Sequence, residues 1–250
     1  MKIAVCVSHV PDTATKIKID SSEKAIDQNG VTYIINPYDE FAVEEALKTK
    51  EKIGEDSEVV AISVGGDSSK ETIKKALAMG VDRGILLKDE NPRDSFGIAK
   101  ALSEEIKAQG CELVFFGKQS VDFDNSITGQ LTATMLDYGC VSVVVDFKLE
   151  GDKITAEREI EGGKEIVESK LPAVITAQKG LNEPRYASLK GIMAAKKKTI
   201  EEKPAASFEN LTELVSLKKP APKQPGRILG TDKSVVPELV KLLREEAKVI

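Results

Sequence analysis

Residues 156–176 read AEREIEGGKEIVESKLPAVIT, and this stretch predicts a strand pair that leads into a third, buried strand. From 156 to 160 the acids alternate with other side chains, as on a strand with one buried face. The paired glycines at 162–163 predict the turn, and 165–171 predicts the return strand. The proline that opens 172–176 stands before a short apolar run, where its missing N–H does little harm.

Outward from this hairpin, the chain alternates short apolar runs with longer amphipathic segments. We predict strands at 2–7, 58–64, 85–87, 112–116 and 141–149, and helices at 37–53, 69–79, 94–108 and 128–136. Strands alternating with helices predict a mostly parallel, doubly wound α/β sheet of the Rossmann-like, adenine-nucleotide-binding type. The hairpin would be its antiparallel extension, and ligands would bind beyond the carboxyl ends of the parallel strands.

Two regions depart from this alternation. A polar insert predicts a hairpin of its own, with strands at 16–20 and 31–35 and a turn at Asn29-Gly30. Residues 203–227 are rich in proline and have little periodicity, so we predict an extended arm. An amphipathic helix follows at 237–248, and it would pack either on another chain or back on its own domain. We therefore divide the chain into an α/β domain at 1–200 and a C-terminal arm at 201–250.

Composition excludes few functions outright but disfavours several. The 250 residues carry 36 basic and 41 acidic side chains, a net charge of −5, which argues weakly against nucleic-acid binding. Aromatic residues make up 4% and there is no Trp, so stacking platforms for bases are scarce. No apolar run approaches the roughly 20 residues that cross a bilayer. Met1-Lys2 leads straight into a strand, so we expect no targeting segment, no direct membrane insertion and a cytoplasmic protein.

The chain offers few residues for catalysis or metal binding. Cys6, Cys111 and Cys140 lack metal-like spacing, and we expect them to be small core residues in a reducing compartment. His9 is the single histidine, and we expect a solvated loop residue. We predict no catalytic residue and no metal site.

Residues 117–130, GKQSVDFDNSITGQ, follow a predicted strand and open a predicted helix. Lys118, Gln119, Ser126 and Thr128 supply side-chain donors, and the first turn of the helix supplies backbone N–H groups. Such a set suits a phosphate. The alternative is an ordinary polar loop before a capped helix.

The 156–176 stretch resembles the signature of the electron-transfer flavoprotein beta-subunit family: a basic residue, an acid, paired glycines, an acid or amide, then proline and an apolar strand. The pattern is filled without a gap by Arg158, Glu161, Gly162, Gly163, Glu165, Val167, Pro172, Val174, Ile175 and Thr176. The 117–130 loop resembles the nucleotide loop of the same family, and 78–84 and 181–189 are similar to further family segments. The resemblance covers roughly residues 3–200.

The resemblance implies that the chain binds AMP. It assigns to AMP the residues Cys6, Asn36, Pro37, Tyr38, Asp39, Val64, Gly117, Lys118, Gln119, Ser120, Val121, Asp122, Phe123, Asp124, Asn125, Ser126, Ile127 and Thr128. For Cys6 and Val64, plain core packing stays open as an alternative.

The resemblance also implies a role as an electron carrier in fatty acid beta-oxidation, with no catalytic residues of its own. A flavin would carry the electrons while the protein positions it. FAD would lie mainly on an alpha subunit, with the segment 10–13 closing one side through Thr13. Electrons would arrive from acyl-CoA dehydrogenases and related enzymes and leave to a membrane quinone oxidoreductase.

Two surface features acquire roles from the resemblance. Leu189, with Arg185 and Tyr186, would dock the dehydrogenase within a recognition segment at 178–200, and the C-terminal arm would pack on the alpha subunit. Residues 178–203 hold seven basic and three acidic side chains, a local charge of +4 that also fits a solvated face. Arg158 and Glu159 would form an inter-subunit ion pair, a type of exposed contact worth about 0–1 kcal/mol.

Alternatives remain at the nucleotide site. Ser8-His9 stands where the family commonly has a basic pair, and 10–13 resembles members that hold a second FAD in place of AMP. In a different class, 63–68 (SVGGDS) resembles the loop of ATP pyrophosphatases, although Val64 displaces its first glycine. A stand-alone ATP-binding enzyme or a universal-stress-type nucleotide-binding protein is therefore the rival interpretation.

Overall fold

The computed structural model describes residues 1–54, 56–91, 93–223 and 225–250. Its strands are β1 (Lys2–Cys6), β2 (His9–Pro11), β3 (Tyr33–Ile35), β4 (Glu58–Gly65), β5 (Arg83–Lys88), β6 (Leu113–Gly117), β7 (Gly139–Glu150), β8 (Lys153–Ile160), β9 (Gly163–Lys170), β10 (Ala173–Ala177) and β11 (Ile200–Pro204). Its α-helices are α1 (Pro37–Ile53), α2 (Lys70–Met79), α3 (Ser95–Gln109), α4 (Thr128–Leu136), α5 (Leu189–Ala195) and α6 (Val236–Glu245).

Nine of these strands form one sheet in the order β11-β5-β4-β1-β6-β10-β7-β8-β9. Neighbours from β11 to β7 are parallel. β8 then pairs antiparallel with β7, and β9 pairs antiparallel with β8. The mostly parallel α/β class and its hairpin extension are therefore confirmed. The chain winds from β1 to β4 on one side and later returns to β6 on the other, so the direction of winding switches between β1 and β6.

The central strands are continuous apolar runs because helices cover both of their faces. Ile3 and Val5 of β1 face one core layer, and Ala4 and Cys6 face the other. Phe115 on β6 is fully buried and packs edge-on against Phe147 of β7, with ring centroids 5.3 Å apart. This double cover makes the central strands rigid supports for the loops at their carboxyl ends.

The hairpin follows the alternation of its sequence. Ala156 pairs with Val167 across β8 and β9, and Ile154 and Ala156 are fully buried while their neighbours face outward. The Leu171–Pro172 peptide bond is cis, and β10 starts directly after it. The prediction of a hairpin that feeds a buried strand is confirmed.

The predicted strand at 16–20 is wrong. Within 12–32 the structure has only an isolated bridge between Ile19 and Ile26, and β3 pairs instead with β2. The reason is packing, because Val10 of β2 is fully buried whereas the polar residues after it have no apolar face to cover. The insert is thus held at its base by a two-stranded ribbon.

The C-terminal region begins inside the sheet. β11 pairs in parallel with β5, from Ile200 opposite Gly84 to Pro204 opposite Lys88, so the sheet continues across position 200. The division into 1–200 and 201–250 stays a prediction. The terminal helix α6 forms where the apolar stripe predicts it, and none of its residues is buried.

Two of the three cysteines lie in the core as expected. Cys6 and Cys111 are buried, and burial raises the pKa of both thiols. Cys140 is exposed, which corrects the expectation that it is a core residue. It sits second in β7, ahead of the first buried position of that strand. In the part of the chain that the structure describes, no helix is both long and apolar enough to cross a membrane.

Candidate functional site

A cavity of about 750 Å³ opens beyond the carboxyl ends of β1 and β6. This is where the winding switches direction, the usual ligand position in an open α/β sheet. The volume lies within the range of roughly 300–1,000 Å³ for small-molecule sites. Its walls include residues 6–9, the 117–129 loop, the start of α3 and residues 210–214 of the C-terminal arm, together with Asp39 of α1 and Ile62 and Val64 of β4.

Most of the residues assigned to AMP line this cavity. They are Cys6, Asp39, Val64, Gly117, Lys118, Gln119, Ser120, Asp122, Phe123, Asn125, Ser126, Ile127 and Thr128. The remaining assigned residues do not line it: Asn36, Pro37, Tyr38, Val121 and Asp124. Contact with a ligand stays a prediction for both groups.

Asn36 and Asp39 join the strand ends around the cavity. Asp39 accepts hydrogen bonds from the N–H of Ser8 (2.7 Å), the N–H of Gly117 (3.1 Å) and the amide of Asn36 (2.8 Å). Asn36 stands at the N-cap of α1, but its side chain makes no capping hydrogen bond. It instead donates to the carbonyl of Gln119 (2.9 Å) and accepts from the N–H of Val121 (3.2 Å). The two side chains therefore fix the end of β1 against the 117–130 loop.

Burial raises the pKa of the Asp39 carboxyl to about 7, although the donors from Asn36, Ser8 and Gly117 oppose this rise. The folded protein therefore binds a proton that the unfolded chain releases near pH 4. Stability linked to this proton is complete below pH 4 and is lost as the pH rises through 7.

We expect Asp39→Asn, which keeps a neutral side chain, to remove this dependence on pH. Between pH 4 and 7 the free energy of unfolding of the wild type should fall relative to that of Asp39→Asn by on the order of 3 kcal/mol. Urea titrations of both proteins across this range measure the difference. Parallel pH profiles would contradict the assignment of a raised pKa to Asp39.

The 117–130 loop is organised by its own side chains. Gln119 donates to Asp124 and accepts from the hydroxyl of Ser126 (2.8 Å), while Asn125 reaches Ser95 of α3 (2.8 Å). Asp124 and Ser126 adopt left-handed backbone conformations, with φ of 53° and 54°. The loop is thus folded tightly against the start of α3.

The amino end of α4 lacks the side-chain cap expected of an ordinary polar loop. Ile127 holds the N-cap position and makes no side-chain hydrogen bond. The first N–H groups of a helix need acceptors and carry partial positive charge. Lys118, another cavity residue, lies 5.2 Å above the ring of Tyr38. These features favour the phosphate interpretation of the loop over the alternative.

His9 is not a solvated loop residue. It lies in β2 and is half-buried, stacked on Tyr33 at 4.7 Å between ring centroids. Its Nδ1 is 2.8 Å from the hydroxyl of Thr72 on α2, and burial lowers the pKa of the imidazole. Because the preceding strand β1 is buried, the chain leaving it carries His9 against α2, at the edge of the cavity.

The predicted docking residues lie beside α1 and α2, because Arg185 contacts α1 and the helix that starts at Leu189 packs on α2. Arg185 donates to Glu44 and Glu51 of α1, at 2.8 and 2.6 Å, and these contacts raise its pKa further. Tyr186 and Leu189 are 97% and 82% exposed. Arg185 thus fixes the loop within its own chain, while the other two residues point to solvent.

Leu189 is presented on a short, supported helix. The hydroxyl of Ser188 accepts from the N–H of Gly191 (3.0 Å) and caps α5. Gly191 packs against the carbonyl oxygen of Ala78 on α2, where a larger side chain would collide. Ile192 and Met193 are also exposed, and their spacing places them on the same helix face as Leu189.

Arg158 and Glu159 also have partners within the chain. Arg158 donates to the carbonyl of Ser142 (3.1 Å) and to Glu165 (3.3 Å), and Glu159 accepts from Gln178 (2.8 Å). The inter-subunit ion pair between these residues stays a prediction.

The loop that carries the rival ATP interpretation contains an internal anion. The carboxylate of Glu90 sits against Gly66 and accepts from the N–H of Asp67 (3.3 Å). Asp67 itself pairs with Lys70 and Lys88, at 3.0 and 2.9 Å. The negative charge of Glu90 beside this loop would repel a phosphate bound there. Among the described residues, no group of three or more acidic, His or Cys side chains could hold a metal ion.

Sequence reasoning missed one wall of the cavity. Residues 210–214 line it together with Arg93 and Phe96 near the start of α3. The arm has no periodicity that would reveal these contacts. The only part of this wall that the sequence indicated was the start of the helix at Asp94, which the structure confirms.

Comparisons with known proteins agree with this geometry. A family model described as the electron transfer flavoprotein domain matches residues 24–208. The chain is 39% identical to the electron transfer flavoprotein subunit beta of Bradyrhizobium diazoefficiens over 252 residues, which covers 100% of both chains. It is 40% identical to that of Mus musculus, covering 100% of this chain and 99% of the relative, and 37% identical to that of Bacillus subtilis, covering 100% of both.

The mostly parallel α/β sheet, with its cavity at the switch point, defines the general class of protein, which is the Rossmann-like fold. The relatives that match over the full length of the chain identify the family within this class. The chain belongs to the electron transfer flavoprotein beta-subunit family.

Proposed function

We propose that this chain is the beta subunit of a heterodimeric electron-transfer flavoprotein and that it holds AMP in the cavity between β1 and β6. The observation that supports this most directly is the cavity of about 750 Å³ walled by the 117–129 loop. The sequence of this loop resembles the nucleotide loop of the family to which the chain belongs.

The cavity has chemistry suited to each part of AMP. Cys6 and Val64, at the ends of two buried strands, offer a backbone and an apolar surface for an adenine ring. The uncapped start of α4, with the hydroxyl of Thr128, offers donors for a phosphate. Lys118 supplies a positive charge, and it forms no ion pair with any residue that the structure describes.

FAD would be shared with the alpha subunit. Thr13 lies on an exposed turn outside the cavity, so a flavin that touches it must be held mainly by another surface. When bound, FAD supplies the ring that accepts and donates electrons. This chain would cover one side of it with the turn after β2, whose position is set by the N–H of Asp12 donating to the carbonyl of Thr32 (2.8 Å).

Two surfaces would serve the protein partners. Leu189, Ile192 and Met193 form an exposed apolar face that would dock acyl-CoA dehydrogenases and related donors. Lys190, Lys196 and Lys197 surround it, are exposed and make no ion pair with the described residues. In the part of the chain that the structure describes, no residue of α6 is buried, and its apolar stripe would pack on the alpha subunit.

In this role the chain is an electron carrier rather than an enzyme. Electrons from fatty acid beta-oxidation would pass through the flavin to a quinone oxidoreductase, and the heterodimer would work in the cytoplasm. AMP would be structural, because a ligand that binds only the folded state stabilises it.

Thr128→Val tests the nucleotide site. Loss of a hydroxyl that bonds a charged phosphate should cost about 1.5–3 kcal/mol, so AMP should bind roughly ten-fold or more weakly. The measurement is the AMP retained by the purified heterodimer after extensive dialysis. Thr134→Val, at an exposed position of the same helix whose hydroxyl bonds the carbonyl of Gln130, is the matched control and should retain AMP. Full retention of AMP by Thr128→Val would show that the Thr128 hydroxyl does not contact AMP.

A further inference from the structure

The C-terminal arm crosses the mouth of the nucleotide cavity. Residues 208–217, hereafter the lid, contribute their stretch 210–214 to the cavity wall. The opposite wall is the crevice between β1 and β6. A ligand in the crevice would therefore be enclosed by a segment that follows the sheet by only a few residues.

One end of the lid is held by Asp94 at the start of α3. The two carboxylate oxygens have different partners. Oδ1 accepts a hydrogen bond from the N–H of Gly97 (2.8 Å) and so caps the helix. Oδ2 accepts from the N–H groups of Leu211 (2.8 Å) and Thr212 (2.9 Å) and from the Thr212 hydroxyl (3.2 Å). The N–H of Asp94 in turn donates to the side chain of Asn210 (3.1 Å).

The Asp94 carboxylate is suited to this task by its charge. Burial alone would raise its pKa, but hydrogen bonds from Gly97, Leu211 and Thr212 more than offset that effect, and the pKa lies below its usual value. Hydrogen bonds to an ionised acceptor are about twice as strong as those between neutral groups. One oxygen thus carries three donors from the lid.

Phe208 adds a packing contact beside this latch. Its ring lies against Gly97, where any side chain would collide with it, and 5.8 Å from the ring of Phe96. Arg93 donates to the carbonyl of Ala206 (2.7 Å) and is locked by Asp89 (2.6 Å). The start of α3 is therefore shaped to receive this part of the arm.

The other end of the lid reaches the polar insert across the cavity. Glu213 pairs with Lys24 (3.0 Å), and the N–H of Leu217 donates to the carbonyl of Glu23 (2.6 Å). Both Lys24 and Glu213 are largely exposed, so this pair contributes little on its own. The lid is thus anchored firmly at α3 and weakly at the insert, which allows it to open as a strap.

We propose that residues 208–217 form a lid over the nucleotide site and that Asp94 Oδ2 is the latch that keeps it closed, so that a bound adenine nucleotide leaves only after the lid detaches. This inference rests on the proposed nucleotide site and adds its gate. It also links the site to the arm that would pack on the alpha subunit, because the same segment cannot move without opening the cavity.

The test is the rate at which the purified heterodimer, loaded with radiolabelled AMP, releases the label into an excess of unlabelled AMP. Asp94→Ser keeps an acceptor for the helix cap but removes the oxygen that holds the lid. Gly97→Ala leaves Asp94 intact but displaces Phe208. Each variant should release AMP at least ten-fold faster than the wild type. Val215→Ala shortens an exposed side chain of the lid but leaves the hydrogen bonds of Asp94 and the packing of Phe208 intact, so this variant should match the wild type.

A second readout reports on the lid itself. Hydrogen exchange at the amides of Leu211 and Thr212 should be slow in the AMP-loaded wild type and fast in Asp94→Ser. If both variants release AMP at the wild-type rate, the proposal of a lid is wrong, whereas the proposed nucleotide site is still supported by the bound AMP. If the wild type holds no AMP at all, the proposed nucleotide site fails and the lid fails with it.

Discussion

Replacing Gly117 by alanine is expected to destabilise the protein by about 3 kcal/mol and to abolish AMP retention. Gly117 ends β6, and its N–H donates to Asp39. A methyl group there would collide with the Asp39 carboxylate and lie 2.7 Å from the carbonyl carbon and the Cβ of Tyr38. The first turn of α1 cannot give way easily, because Asp39 and Asn36 tie it to Ser8 and Gln119. Overpacking of this kind typically costs about 1–3 kcal/mol, and backbone contacts place this case at the upper end.

Chemical denaturation and AMP content of the purified heterodimer measure the two effects. The matched control is Gly163→Ala on β9, where the added methyl group would meet no atom within 4 Å. Its stability and AMP content should equal those of the wild type. A Gly117→Ala protein as stable as this control would show that the close approach of β6 to α1 is not a real constraint.

Leu189→Ala is expected to slow electron transfer from the dehydrogenase by roughly 30-fold at limiting protein concentration. Leu189 is 82% exposed at the start of α5, and the helix is held on α2 through Gly191. An apolar residue presented so rigidly, amid exposed lysines, has the character of an interface anchor, whose removal typically costs about 2 kcal/mol. The flavin spectrum should not change, because Leu189 is not among the residues that line the cavity.

Stopped-flow reduction of the flavoprotein by a reduced acyl-CoA dehydrogenase measures this rate. Ile166→Ala, which removes another exposed apolar side chain from the hairpin strand β9, serves as the control and should transfer electrons normally. An unchanged rate for Leu189→Ala would rule out the anchor role.

The sheet was predictable because its central strands are continuous apolar runs separated by amphipathic helices. Asp94 and Gly80 mark helix ends in the sequence as they do in the structure. β11 was not predictable, because an edge strand reading IEEKP has the polarity of a loop and is defined only by pairing with β5. β2 was missed for a related reason, since three residues carry too little pattern to oppose the longer polar run after them.

The candidate site was predictable as far as local sequence defines it. The 117–128 loop and Asp39 meet because both lie at the carboxyl edge of the sheet. Long-range partners could not be predicted: Asp94 meets Thr212, and Arg185 meets Glu44, across more than a hundred residues. Such contacts depend on how the chain returns to the sheet, which no local pattern encodes.

The most direct test of the central claim is the nucleotide content of the chain purified with its co-expressed alpha subunit. Denaturation followed by chromatography identifies and counts the released nucleotides. The proposed function predicts one FAD and one AMP per heterodimer. Two FAD and no AMP would contradict the AMP assignment and favour the interpretation of a second FAD in place of AMP, which the resemblance of residues 10–13 raised. ATP alone, or no nucleotide and no flavin, would contradict the account as a whole.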